Sequence, residues 1–288
     1  MTWACNKIDH KLIDLALEED LRTPFFDATT QALFDKDSRN HQVEIVSKES
    51  VPIVFAGLPV VSSVLSRFGD DFELHADCNE GDLVMPQQRI LTIKGSAKQL
   101  LMAERTILNF LRHLCAVATL THHYVEKIKG TSMKILDTRK TAPGWRHLEK
   151  YAVYCGGGVN HRMGLYDAIM VKDTHIDLMG GMQKVMEALP TRHEIHVIIE
   201  VRNLEELDVV IEYGRDKVDR VLLDNMTPEV LSECVKRCQG IFITEASGDI
   251  TLDSVLSVAQ TGVAFASVGK ITHSAGSVDL SMRALAEA

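Results

Sequence analysis

Positive charge is in short supply: 31 Lys and Arg face 40 Asp and Glu in 288 residues, a formal net charge of −9 before histidine is counted. Sequence-independent binding to DNA or RNA needs a basic surface that displaces condensed counterions, so that class of function is excluded. Any anionic ligand has to be held by a local basic cluster. Long apolar runs are missing too, and no stretch approaches the roughly 18 consecutive apolar residues of a membrane span. The N-terminal stretch, which runs on to the acidic Leu17-Glu-Glu-Asp20, has no basic region followed by an apolar run and a cleavage site, so a cytoplasmic location is expected. Cys5, Cys78, Cys115, Cys155, Cys234 and Cys238 form no CxxC pair. The close pair Cys234 and Cys238, spaced i,i+4, reads as reduced core thiols, with a metal site there the lesser alternative. The run Cys155-Gly-Gly-Gly-Val-Asn160 lacks both the Walker lysine and the GxGxxG spacing, and is read as a flexible turn that delivers His161 and Arg162.

What is present is an ordered succession of elements. Leu12, Ile13, Ala16, Leu17 and Leu21 recur at helical spacing, with Asp9 as the expected N-cap. Short β-like runs follow between residues 43 and 95, then Ser96 and Gln99 suggest a capping box before a helical stripe that continues to Gly130. A pattern of that length predicts a break near 111–116. The expected domains are therefore an N-terminal α+β sandwich over 1–115, completed by the tail 271–288, and an α/β barrel over 116–270. In the second part, "MKILD", "AIMVK", "HVIIEV", "RVLLD", "IFITEA" and "VAFASVG" alternate with amphipathic segments. Six βα units in series predict a parallel sheet, wound as a barrel.

Each run ends in a polar or glycine-bearing group: Asp137-Thr-Arg-Lys140, Lys172, Glu200, Asp224-Asn225, Glu245-Ala-Ser-Gly248, and Ser267-Val-Gly269. Strand carboxyl ends converge on the mouth of a parallel barrel, where active sites are built. Residues 139–172 hold six Lys or Arg against two acids, a local excess that marks an anion site. Arginine presents a planar fork to carboxylate or phosphate, and lysine a compact charge. Arg146, His147, Glu149 and Lys150 are assigned to a solvated helix face and set aside. Glu200 and Asp224 offer hard oxygens of the kind Mg²⁺ accepts, with a salt bridge to Lys140 or Lys172 as an equal alternative. The loops after the last two strands are where barrel enzymes commonly hold phosphate.

The strings "DTRKTAPGWRHLEKYAV", "CGGGVNHRMGLYDAIMVKDTH", "IIEV", "LLDNM", "EASGDI" and "VGKITHS" resemble, in this order, the quinolinate phosphoribosyltransferases, also called carboxylating nicotinate-nucleotide pyrophosphorylases. The resemblance implies an N-terminal sandwich domain with an open, incomplete α/β barrel, working as a homodimer or a hexamer built from dimers. It also implies the reaction of quinolinate with phosphoribosyl pyrophosphate (PRPP) to give nicotinate mononucleotide, pyrophosphate and CO₂, with Mg²⁺, as a step of NAD biosynthesis. Thr138, Arg139, His161, Arg162 and Lys172 match the positions around quinolinate, and Arg105 matches one donated by the neighbouring subunit. Lys140, Lys172, Glu200, Asp224, Ser247, Gly248, Asp249, Ser267 and Gly269 match those around PRPP, with Lys140, Glu200 and Asp224 the catalytic set and Glu200 and Asp224 on the metal side. Asp249 departs from the resemblance, standing where many members have a second glycine, and Lys270 stands where a small residue is usual. A relative acting on another aromatic acid, or a non-catalytic phosphate-binding protein, are the alternative readings.

Overall fold

The computed structural model describes residues 3–37, 39–191 and 194–285. The first two residues of the stretch read for a leader and the last three of the expected tail lie outside that set. The chain divides into two compact units, the first comprising Met1–His122, Thr141–Gly157 and Ile271–Ala288, the second His123–Lys140 and Gly158–Lys270.

The first unit opens with α1 (Lys7–Leu21) and α2 (Ala28–Phe34), followed by β1 (Asn40–Ser47), β2 (Ile53–Val54), α3 (Leu58–Leu65), β3 (Glu73–Ala76), β4 (Leu83–Val84), β5 (Arg89–Ser96) and α4 (Ala97–Lys127). The cap of α1 is Asn6, not Asp9: Asn6 Oδ1 accepts from the Ile8 and Asp9 backbone N–H groups, and Asp9 Oδ2 accepts in return from the Asn6 N–H at 2.7 Å. Asp9 is the reciprocal partner of a capping box, one turn inside the helix. The expected box at the start of α4 does not form, because Gln99 donates instead to the Phe68 carbonyl at 2.6 Å.

Helix α4 runs unbroken through 111–116. Its length is sustained by burial of Leu100, Ala103, Ile107, Phe110, Leu111 and Leu114, a continuous apolar stripe at 3.6-residue spacing. The unit boundary consequently falls at His122/His123, within the helix.

The remaining elements are β6 (Lys134–Leu136), α5 (Arg146–Cys155), β7 (Ile169–Val171), α6 (Asp173–Met179), α7 (Met182–Ala188), β8 (Val197–Val201), α8 (Leu204–Tyr213), β9 (Arg220–Asp224), α9 (Pro228–Cys238), β10 (Ile243–Ser247), α10 (Val255–Gln260), β11 (Phe265–Ser267), α11 (Lys270–His273) and β12 (Leu280–Ala284). β12 and α5 belong to the first unit. Its larger sheet is antiparallel with order β12-β1-β5-β3, and buried Val43 and Ile45 of β1 sit opposite Ile93 and Leu91 of β5.

The charged residues of α5 are not a solvated face. Glu149 and Lys150 are buried, His147 bonds Asp9 across 2.5 Å, and Glu149 Oε1 meets His113 Nε2 at 2.8 Å. Gly156, just past α5, has no room for a side chain, since a Cβ there would lie 2.3 Å from the Ala118 carbonyl oxygen. Close packing of α5 on α4 therefore fixes where the glycine run starts.

The second unit is a six-stranded parallel sheet in the order β6-β11-β10-β9-β8-β7. That is the cyclic order of a barrel with one pairing missing, between β6 and β7. The helix that follows β6 in sequence, α5, is built into the other unit. The open edge of β6 is instead lined by residues after the glycine run: Val159 donates to Ile135 O at 2.8 Å and accepts from the Asp137 N–H at 3.2 Å. Among the described residues no helix is long and apolar enough to cross a membrane.

Candidate active site

Strand alternation sends every second residue to the same face. The register aligns Glu200 of β8, Leu222 of β9, Glu245 of β10 and Phe265 of β11 in one row, and Asp224, Ser247 and Ser267 lie two residues further along. The carboxyl ends of the strands thus bring Lys172, Glu200, Asp224, Ser247 and Ser267 to one end of the sheet, with Thr138, Arg139 and Lys140 following β6.

Glu245 is the organising group, and sequence reading left it without a role. Its carboxylate is fully buried, with Arg220 Nη1 at 3.0 Å, His161 Nε2 at 3.3 Å and the Ser267 hydroxyl hydrogen-bonded to it. Burial opposes ionisation there, yet His161, Ser267 and Arg220 together outweigh it and hold the carboxyl below its ordinary range. Arg220 also stacks over the Phe265 ring at 4.4 Å. The available signal was a charged residue inside an otherwise apolar strand run, in "RVLLD" and in "IFITEA", but only the register shows that the two meet. Ser267, matched to PRPP in the sequence, has its hydroxyl taken up by Glu245.

The segment 158–162 is ordered by hydrogen bonds, which replaces the expected flexible turn. Asp137, fully buried after β6, accepts from Asn160 Nδ2 at 2.6 Å and from the His161 N–H at 2.9 Å. The Arg162 N–H donates to His161 Nδ1 at 2.7 Å, and Arg162 Nη1 reaches the Ala168 carbonyl at 3.0 Å. Arg162 Nε is buried with no hydrogen-bond partner among the described residues. Burial, then the charge of Arg139, pushes the Arg162 guanidinium below its ordinary range. A partly buried guanidinium beside a second positive charge makes a site whose electrostatic energy falls when an anion enters.

On the opposite side, Lys172 Nζ lies 3.4 Å from Glu200 Oε2 and the Asp173 N–H donates to Glu200 Oε1 at 3.3 Å. The salt bridge weighed in the sequence is therefore present, with Lys172 as its cation. Thr138 Oγ1 accepts from the exposed Lys140's N–H at 3.0 Å. Asn225, Gly248 and Asp249 all have positive φ, of 52°, 96° and 46°. The loops after β9 and β10 interlock: Asn225 N–H donates to Ser247 O at 2.9 Å, Asn225 Nδ2 donates to Asp224 Oδ2 at 2.8 Å, and a Cβ on Gly248 would lie 2.1 Å from Asn225 Oδ1. Glycine is thus required at 248 by its own backbone and by Asn225.

Arg105 lies exposed on α4 in the first unit, beside a cavity of about 600 Å³ also lined by Asn109, His113, Glu19 and Asp20. Cys234 and Cys238 are buried and free. Among the described residues, no group of three or more His, Cys, Asp or Glu could hold a metal, so the lesser reading of that pair has no support.

An incomplete parallel barrel with a basic cluster facing carboxylates at its strand ends defines an α/β enzyme acting on small anionic molecules. The matches to known proteins narrow this. A family model described as quinolinate phosphoribosyl transferase, N-terminal domain, matches residues 27–115, and its C-terminal counterpart matches 117–283. The chain belongs to the quinolinate phosphoribosyltransferase family. It is 37% identical over 276 residues to a probable carboxylating nicotinate-nucleotide pyrophosphorylase of Bacillus subtilis, covering 94% of this chain and 92% of the relative. It is 36% identical over 276 residues to the Mycobacterium leprae carboxylating nicotinate-nucleotide pyrophosphorylase, covering 93% and 94%. A solved nicotinate-nucleotide pyrophosphorylase from Francisella tularensis superposes with a TM-score of 0.90 at 35% identity, covering 98% of each chain.

The interlocked loops generate one prediction. Gly248→Ala and Asn225→Gly should be strongly non-additive in urea unfolding, with a coupling of about 1–3 kcal/mol because removal of the Asn225 side chain makes room for the new Cβ. Additive losses would contradict the steric link.

Proposed function

We propose that the chain transfers the phosphoribosyl group of PRPP to quinolinate with loss of CO₂, giving nicotinate mononucleotide and pyrophosphate for NAD synthesis. The observation that carries this reading is the juxtaposition of Arg139 and Arg162, with Arg162 Nε buried and, among the described residues, without a hydrogen-bond partner, in a protein of net charge −9. Two guanidiniums and Lys172 suit a small ring with two adjacent carboxylates better than a monocarboxylate. In this reading Thr138, Arg139, Arg162 and Lys172 hold quinolinate. Lys140, Ser247, Gly248, Asp249 and Gly269 surround the phosphates of PRPP, with Asp249 set by its positive φ in the turn after β10.

Fixing both carboxylates aims the pyridine nitrogen at C1 of the ribose. The N–C1 bond forms as the C1–O bond breaks, and pyrophosphate leaves with its electron pair, its charge countered by Lys140. The ribosylated nitrogen is then cationic. When the C2–carboxylate bond breaks, its electron pair stays on C2 beside that cation, and a proton from water completes nicotinate mononucleotide. Glu200 and Asp224 fit a magnesium ion brought in with pyrophosphate: they are hard carboxylates on neighbouring strands, on one face, and waters and substrate oxygens would complete the shell. Bound there, the ion would offset phosphate charge. A cytoplasmic location accords with six free cysteines.

The reading includes a homodimer, alone or as the unit of a hexamer, in which Arg105 serves the neighbouring subunit. Exposure of Arg105 on a helix face that carries a cavity supports it.

Two outcomes check these assignments. Arg139→Ala and Arg162→Ala should each raise KM for quinolinate about 10- to 100-fold, the loss of one or two charge-assisted hydrogen bonds, with KM for PRPP little changed. Steady-state kinetics with unchanged quinolinate KM in both variants would sink the pocket. Mixing Arg105→Ala and Arg139→Ala chains, after dissociation and reassociation and at quinolinate far below the raised KM of either variant, should restore about a quarter of the wild-type rate, since half the dimers carry one intact site. No recovery would exclude action across subunits.

A further inference from the structure

His161 is one of the residues whose resemblance suggests a direct contact with quinolinate, and the geometry around it points elsewhere. Its side chain is 6% exposed, and both ring nitrogens face groups of this chain. A backbone N–H can only donate, so the Arg162 N–H at 2.7 Å makes Nδ1 a lone-pair acceptor. The ring proton then belongs on Nε2, which lies 3.3 Å from Glu245 Oε1. A second ring proton on Nδ1 would be directed at a donor, so the hydrogen bond to the Arg162 N–H leaves no place for one on that nitrogen.

The charged groups around the ring come from four places. Glu245 on β10 faces Nε2, Arg220 on β9 binds the far oxygen of that carboxylate, Asp137 after β6 holds the His161 N–H, and Arg162 follows in the chain. Two successive backbone N–H groups, those of His161 and Arg162, are thus held by side chains anchored to strands β6 and β10.

We infer that His161 is a positioning residue: a neutral imidazole, packed beside Glu245, that holds the Arg162 backbone so that the Arg162 guanidinium meets the substrate carboxylate, while His161 itself supplies no charge to it. The inference deepens the proposed function and rests on it for the identity of the substrate. It also gives Glu245 and Arg220 a purpose in the site, since both stand behind the imidazole.

The test has a kinetic and a spectroscopic arm. His161→Leu should raise KM for quinolinate about tenfold with KM for PRPP unchanged, and His161→Asn, whose Oδ1 replaces Nδ1 as acceptor for the Arg162 N–H, should recover most of that loss. Nitrogen-15 chemical shifts of the His161 ring should report the neutral Nε2–H form at about pH 7, both in the free protein and with quinolinate bound. An imidazolium in the quinolinate complex, or an Asn variant as impaired as the Leu variant, overturns the inference. Absence of turnover by the unmodified chain overturns the function reading instead, and the ring tautomer in the free protein still supports or overturns the neutral imidazole on its own.

Discussion

A carboxylate buried in the interior of a sheet has to be neutralised where it stands, and Glu245 sets that condition for the second unit. Arg220 from β9, Ser267 from β11 and His161 from the segment beside β6 converge on it. Three strands and a loop are thereby tied at one level of the barrel. Removing one partner of such a cluster leaves the other charge buried and uncompensated, typically a loss of about 3–5 kcal/mol. The same cluster restrains the peptide that carries Arg162, so stability and recognition depend on one anion.

The arrangement also shows how an acidic chain gathers positive charge at one place. Local geometry, not net charge, sets the potential: the charge of Arg139 acts against that of the partly buried Arg162, and the buried carboxylates Asp137 and Glu245 accept hydrogen bonds from the 160–162 segment and from Arg220. Those acids hold the scaffold. The missing β6–β7 pairing belongs to the same design, because the edge of β6 is where Val159 docks and hands the chain on to His161.

Much of this was legible in the sequence. The six runs of the second unit are the six strands β6 to β11, because alternation of buried strands with amphipathic helices leaves a clear signature, and the polar residues ending them mark the mouth. Legibility failed where tertiary contacts override local pattern. Glu149 and Lys150 look like a solvated face until α5 is seen to pack within the other unit, and Asp9 looks like a cap until Asn6 takes that place. The break expected in α4 follows from average helix lengths, whereas its buried stripe has no interruption. The pairing of Arg220 with Glu245 depends on strand register, which no local window contains.

The central claim is that the guanidinium pair selects a dicarboxylate and that ribosylation is linked to decarboxylation. The most direct measurement follows pyrophosphate and CO₂ together from the purified chain with PRPP and Mg²⁺. Equal amounts of both from quinolinate, with neither from nicotinate, is the predicted result. Pyrophosphate release with nicotinate, or none with quinolinate, would contradict it.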